Sequence, residues 1–406
     1  MKKLIIILLL SLLWATFVNA QTAKELYNSG LTKYDQRDFN GALQDLNKAI
    51  EMDPGYDKAY HNRGLVKYAM QDYAGAIADQ DKAIALNPNY SNAYNDRGMI
   101  SLKQKNYEAA NRDFDKAIEL DASYVMAYNN RASVRYILKD YSGAMNDYNK
   151  SIELSPTSAD AWSGRGLARI AQRDYNGAIT DANKAIELNP NLAAAYVSRG
   201  NARFELNDYD GALGDYNRVI VLQPNNSNVY FNVGRLYAAR KSSDDAIRNY
   251  RQYILLEPGE WTGYKNLGDV YYSQLKNYDS SLYYYKRAYG INKSDKELLQ
   301  NYGYTLLKKG YTNDAMAMFN AQVALLPDDP WGYYNLAAVY SYNKQNREAI
   351  AQLTIALQKK MTELGYWETD PYLNNLRVTP EFGVLVRGHF TPKEIKEHPG
   401  IFVVVR

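Results

Sequence analysis

The sequence predicts an all-α protein: a solenoid of about ten stacked helical hairpins, closed by a C-terminal capping segment. Three observations predict it. Small residues recur every 34 positions, at Gly30, Gly64, Gly98, Ala132, Gly166, Gly200, Gly234 and Gly268; one extra residue near Lys276 shifts the phase, and Gly303 and Ala337 continue it. A second small residue follows twelve positions after each, from Ala42, Ala76 and Ala110 through to Ala315 and Ala349, with Ser281 at thirteen because of the shift. Proline closes most units, at Pro54, Pro88, Pro156, Pro190, Pro224, Pro258 and Pro327.

Taken from the N-terminus, residues 1–20 read as a secretory signal peptide. Lys2 and Lys3 form a basic start, Leu4 to Leu13 is almost continuously apolar, and Val18-Asn19-Ala20 is a small-x-small cleavage site before Gln21. The apolar run falls short of the roughly 20 residues a spanning helix needs, and no later segment is apolar enough to cross a bilayer. Without Lys2 and Lys3 the formal charge drops from +3 to +1, which offers nothing general to nucleic acid or an anionic membrane. With no cysteine in the chain, neither a disulfide framework nor a lipid-modified cysteine is available. The expected divisions are 1–20 signal, 21–228 repeats one to six, 229–361 repeats seven to ten, and 362–406 cap and tail.

Each recurring residue has a packing reason. Glycine within a helix costs about 1 kcal/mol relative to alanine, so its recurrence implies two backbones too close for a side chain. Alanine on the second helix is expected to face it. A large side chain four positions earlier (Leu26, Tyr60, Tyr94, Tyr128, Trp162, Tyr196, Tyr230, Tyr264, Leu299, Tyr333) is expected to fill the space beside that contact. Proline lacks the N–H and restricts the residue before it, so it ends one unit and the next helix starts just after. Turns such as Gln71-Asp72-Tyr73 join the two helices.

Segments such as Ala59-Tyr60-His61-Asn62-Arg63-Gly64 followed by Lys82-Ala83-Ile84-Ala85-Leu86-Asn87-Pro88 resemble the tetratricopeptide repeat, whose period is 34. The resemblance covers ten units from about Ala23 to Lys360. Departures are local: Ala122 and Lys293 stand where proline closes a unit, and Tyr253 and Gln322 where a second alanine is common. The resemblance implies a right-handed superhelix whose first helices line a concave groove. Each hairpin buries its face only against neighbours, so the ends need caps. Asp370 to Phe382 resembles the tail that closes bacterial arrays of this family, with Asp370 capping a helix and Pro371 at its first position. Ile401 to Val405 reads as a short strand without an evident partner.

Repeats one to six carry a charge pattern that later repeats lose. Arg63, Arg97, Arg131, Arg165 and Arg199 directly precede the small residue, and Lys67, Ser101, Arg135, Arg169 and Arg203 follow one helical turn on. The second helices answer with Asp45, Asp79, Asp113, Asp147, Asp181 and Asp215. One reading is a basic stripe for an anionic ligand; the other is a ladder of Arg–Asp pairs that fixes the stacking of hairpins. Because acid and base repeat together, the ladder is favoured. For Arg131 the column leaves Asp147 and Asp113 both open as partners. From Val229 to Tyr342 tyrosines crowd in, as at Tyr271-Tyr272 and Tyr283-Tyr284-Tyr285. Three in a row on one helix cannot all face one core, so this half offers the better sticky surface.

Two positions before the small residue stand Asn28, Asn62, Asn130, Asn232, Asn266, Asn301 and Asn335, with Asp96 in the same column. The resemblance implies that an asparagine here reaches into the groove and holds a ligand backbone; the alternative is a polar wall satisfied by water or neighbouring repeats. Tyr272 and Tyr304 would sit beside these amides. The family's clamp for a C-terminal carboxylate is absent: only Lys265 matches its first lysine, and Asp269 stands where its asparagine should be.

Catalysis is not expected. The histidines are His61, His389 and His398, none in a ligand or triad spacing, and no phosphate-binding glycine loop occurs. His61 is expected to line the groove. No cofactor or metal is expected, and the segments outside the repeats are too short for a catalytic domain. The expected function is a non-enzymatic scaffold, exported to the periplasm or beyond, that binds partner proteins or peptides. A structural subunit docked permanently through the tyrosine-rich half is the alternative, and a glycan-binding surface a weaker one.

Overall fold

The computed structural model describes residues 22–402; the expected signal peptide, and residues 403–405 of the expected strand, lie outside them. The chain divides into two compact units between Leu222 and Gln223, a few residues before the division read from the sequence. Among the described residues every regular element is helical.

The first unit is six consecutive hairpins: α1 (22–35) with α2 (Phe39–Met52), α3 (Asp57–Ala69) with α4 (Tyr73–Leu86), α5 (Ser91–Lys103) with α6 (Tyr107–Leu120), α7 (Val125–Ile137) with α8 (Tyr141–Leu154), α9 (Ala159–Ala171) with α10 (Tyr175–Leu188), and α11 (Ala193–Glu205) with α12 (Tyr209–Leu222). The second unit holds four more: α13 (Ser227–Ala239) with α14 (Ser243–Leu256), α15 (Trp261–Ser273) with α16 (Tyr278–Ile291), α17 (Lys296–Lys308) with α18 (Thr312–Leu325), and α19 (Pro330–Tyr342) with α20 (Asn346–Gln358). Within each unit a helix packs on its hairpin partner and on the first helix of the next repeat.

The turn inside every hairpin but α15–α16 has the same backbone pattern, seen in α3–α4. Gln71 adopts φ 65°; its N–H donates to the Tyr68 carbonyl and that of Asp72 to Lys67, the paired bonds of a Schellman motif. Asp72 then caps α4 by accepting from the Gly75 N–H at 2.9 Å. The same left-handed position recurs at Arg37, Lys105, Lys139, Arg173, Asn207, Lys241 and Lys344, and glycine occupies it only at Gly310. The phase shift near Lys276 is absorbed in the α15–α16 turn, which reaches its own left-handed residue, Lys276, one position late.

The small-residue columns meet as expected, with one addition. Ala42, Ala76, Ala110 and their equivalents through Ala349 are fully buried. A Cβ on Gly64 would come 3.2 Å from the Ala76 carbonyl oxygen, which is the close backbone approach. The side chain lying over the glycine comes from farther along the second helix: a Cβ on Gly98 would stand 2.7 Å from the Phe114 ring, and those on Gly200, Gly234 and Gly268 equally close to Tyr216, Tyr250 and Tyr285. In repeat four Ala132 takes the small position, and Tyr148 packs instead on Gly164.

The ring four positions before the glycine does not fill that space. It lies at the half-buried edge, tied to the loop that closes the preceding repeat: Tyr196, Tyr230, Tyr264 and Tyr333 donate to the carbonyls of Pro190, Pro224, Pro258 and Pro327, and the Trp162 indole to Pro156. The ring's polar end thus finds its partner in the loop.

The last hairpin is covered by α21 (Leu364–Thr369), a 3-10 turn (Pro371–Leu373), α22 (Asn374–Arg377), α23 (Pro380–His389), α24 (Pro392–Glu397) and a final 3-10 turn (Pro399–Ile401). Trp367 is fully buried, with Phe382 and Phe390 ring centroids 6.1 and 5.8 Å away. Asp370 accepts from the Tyr372 N–H at 2.8 Å with Pro371 at the first position, though the turn it caps is 3-10. Ile401 does not begin a strand. It closes a 3-10 turn and is buried in the core of the cap, because Glu368 accepts from the His398 Nδ1 (2.8 Å) and the Gly400 N–H (2.7 Å) and draws this segment in.

Candidate functional site

In the first unit each column arginine grips the aspartate of its own repeat in a fork. Arg131 donates from Nε and Nη2 to Asp147 at 2.9 and 2.5 Å; Arg63 holds Asp79, Arg97 holds Asp113, Arg165 holds Asp181 and Arg199 holds Asp215 in the same way. Asp147 and not Asp113 is therefore the partner of Arg131. The remaining nitrogen, Nη1, reaches the second helix of the preceding repeat, at Asn47, Asp81, Asp115, Asn149 and Asn183 in turn. Each guanidinium also lies over the ring of its own helix, from 4.6 Å at Trp162 to 5.6 Å at Tyr128. Lys67, Arg135, Arg169 and Arg203 add a second cation to the aspartate. Each nitrogen of the arginine fork has an acceptor within the protein and the aspartates are buried, so this column staples repeats together and presents no free cation stripe.

The asparagine column faces its neighbours. Asn62 donates to the Tyr27 hydroxyl (3.0 Å), Asn130 to Asn95 (2.9 Å) and Asn301 to Asp269 (3.0 Å), each in the preceding repeat. Asn266 donates to the Thr262 carbonyl one turn earlier, and Asn232 is half-buried on α13. Asn335 cannot hold a ligand: it is fully buried, donating to Gln322 and accepting from the Tyr304 hydroxyl at 2.7 Å. Gln322, the departure from the second alanine, supplies the acceptor that draws it in. His61 likewise does not line a groove. It is 6 % exposed, with Nδ1 3.0 Å from Gln80 and its ring against Tyr90. Asp96, in the asparagine column, has its Oδ2 3.5 Å from His61 Nε2, and burial raises its carboxyl above the usual range against the opposing pull of His61.

Tyr272 and Tyr304 do come together. They line a recess of about 340 Å³ in the second unit with Trp331, Tyr366, Tyr372, Lys308 and Asp370. Trp331 and Tyr366 meet edge to face at 4.8 Å, and Lys308 Nζ lies 5.3 Å over the Tyr372 ring. Asp370 accepts from the Tyr334 hydroxyl at 2.9 Å; burial raises its carboxyl, and the bonds from Tyr372 and Tyr334 oppose the shift. Burial also raises Tyr272 and Tyr304, so their hydroxyls stay protonated donors at neutral pH. The recess thus offers aromatic walls, a lysine and one carboxylate, which suits an apolar or aromatic side chain flanked by backbone amides. Sequence periodicity missed Trp331, Lys308, Tyr366 and Tyr372 because they come from two repeats and the cap; the density of rings on both sides of Pro371 was the available signal.

Of Tyr283-Tyr284-Tyr285, Tyr285 is fully buried, Tyr284 stacks on Tyr271 at 5.5 Å and Tyr283 is 55 % exposed. Lys265 is buried between Asp269 and Glu297 and is not available to a carboxylate ligand. Among the described residues no group of three histidine, aspartate or glutamate side chains could hold a metal, and no helix is long and apolar enough to cross a membrane.

Family models described as tetratricopeptide repeat or TPR repeat match residues 30–71, 57–90, 80–110, 132–172, 159–192, 200–240 and 231–296, together more than half of the chain. Among solved structures, the chain is similar to a tetratricopeptide repeat protein from Parabacteroides merdae (19 % identity, 70 % of this chain and 99 % of that one, TM-score 0.46). It is also similar to yeast Tom70 (16 %, 93 % and 99 %, TM-score 0.45) and to YrrB, described as a TPR protein with an unusual peptide-binding site (23 %, 46 % and 95 %, TM-score 0.36). With helical hairpins that repeat every 34 residues and these matching models, the chain belongs to the tetratricopeptide-repeat family.

Proposed function

We propose that this protein is a non-enzymatic scaffold of the cell envelope that captures a partner protein by seating an apolar or aromatic side chain of it in the recess between Tyr272, Tyr304 and Trp331. The recess carries the reading: it gathers six aromatic side chains from α15, α17, α19 and the cap around a space of about 340 Å³. Aromatic side chains of this kind dominate the energetics of protein interfaces. The family supports protein binding in general, and residues 1–20 support placing it outside the cytoplasm.

The test is capture of peptides from a random display library by the mature chain, compared with Tyr272→Ala and Trp331→Ala variants. The selected peptides should share an apolar or aromatic anchor, and each variant should weaken their binding by about tenfold or more with helicity unchanged. Selected peptides that bind both variants as well as the parent would move the binding surface elsewhere.

A further inference from the structure

Away from that recess, the second-helix side of repeat eight carries an open cavity of about 580 Å³, walled by Tyr264, Tyr283 and Ile291 and rimmed by Lys286 and Arg287. Its origin lies in a substitution within the ladder column. In repeats two to six the ring equivalent to Tyr264 is covered by the arginine three residues on, at 4.6 to 5.6 Å. Repeat eight has Leu267 there, and Leu267 is fully buried in the core, so the cover is missing. Gly290 keeps the space open on the other side: a Cβ there would meet nothing within 4 Å. The column glycines are required by close packing, whereas Gly290 bears the helix cost of glycine, about 1 kcal/mol, with no packing need.

The polar chemistry of the rim is one-sided. Neither Lys286 nor Arg287 forms an ion pair among the described residues, Arg287 lies 5.7 Å over the Tyr283 ring, and no carboxylate or amide lines the cavity. A neutral sugar needs acceptors for its hydroxyls, and the only oxygens of side chains here are tyrosine hydroxyls. An acidic group needs donors alone. We infer that this cavity is a second docking site, for an internal acidic segment of a partner protein in which aspartate or glutamate adjoins an apolar side chain. The carboxylates meet Lys286 and Arg287, and the apolar side chain lies between Tyr264 and Tyr283 over Gly290.

The test uses the full mature chain and an array of acetylated, amidated hexapeptides in which paired aspartate or glutamate flanks leucine, phenylalanine, tyrosine or tryptophan, beside the same array with asparagine and glutamine. Acidic members should bind about tenfold more tightly than their amide counterparts, with affinity falling as salt rises. Lys286→Gln with Arg287→Gln should remove that preference, and Gly290→Leu should abolish binding by filling the cavity, both with unchanged helicity. Trp331→Ala should leave it intact, which separates this site from the aromatic recess. Acidic and amide arrays that bind alike, no binding by either, or acidic binding indifferent to Gly290→Leu would each overturn the inference.

Discussion

Replacing Arg97 with alanine should damage the array more than the same change at Arg131, although both occupy one column. Arg97 holds Asp113 through Nε at 2.9 Å and Nη2 at 2.6 Å, and reaches Asp81 of the preceding repeat. Asp113 is 7 % exposed, and Ser101 stands where other repeats bring a second cation. Removing Arg97 leaves a buried carboxylate without its cation, a loss of roughly 3 kcal/mol or more. At Arg131→Ala, Arg135 Nη1 remains 2.8 Å from Asp147, so the expected cost is about half of that. Adding Asp113→Asn to Arg97→Ala should recover most of the loss, because a neutral amide is far cheaper to bury than a carboxylate. Repeat arrays open locally, so the assay is amide hydrogen exchange across α5–α6 and α7–α8 of the intact chain. Equal effects at the two positions, or costs below about 0.5 kcal/mol at both, would refute a buried ladder and leave a solvent-screened surface pair.

Three further outcomes are expected. Gly98→Leu should lower stability by about 1–3 kcal/mol, because the Cβ alone would stand 2.7 Å from Phe114; Gly214→Ala, with nothing within 4 Å, should raise it by roughly 0.5–1 kcal/mol, and thermal melts should move in opposite directions. Lys139→Gly should stabilise by about 1 kcal/mol by relieving its φ of 64°, read from the same melts. The His398 bond, with that from Gly400, holds the Glu368 carboxyl below its ordinary 4.5. A carboxyl lowered by folding contributes stability above its unfolded pKa that is lost as pH falls through the folded one. Exchange at the Ile401 amide should therefore accelerate as pH drops below about 4.5, after correction for its intrinsic rate, and Glu368→Gln should remove that dependence.

Much of the fold was legible because its packing repeats in sequence. Glycine and alanine columns, closing prolines and paired charges all recur at one spacing, and one spacing specifies one hairpin. What the columns concealed were contacts that cross them. The choice of Asp147 over Asp113 for Arg131 depends on which faces of a hairpin meet, and both offsets complete the pattern. The reach of Nη1 to the preceding repeat was hidden because its acceptor alternates between Asn47, Asp81, Asp115, Asn149 and Asn183, residues that differ in charge but share an acceptor oxygen. Asn335 matched its column, yet its burial was set by Gln322 on the facing helix. The aromatic recess combines side chains from α15, α17, α19 and the cap, so no single register shows it. Ile401 misled because an apolar run suits a strand and a buried turn equally well.

The most direct measurement is site-specific photocrosslinking in the producing cells. A photoreactive residue at Gln300, which lines the recess, should give a discrete adduct with a partner protein, and Trp331→Ala should abolish it. The same probe at Arg248, 76 % exposed on α14, should give none of that adduct. Adducts at Arg248 and none at Gln300, or a Gln300 adduct untouched by Trp331→Ala, would contradict capture in the recess.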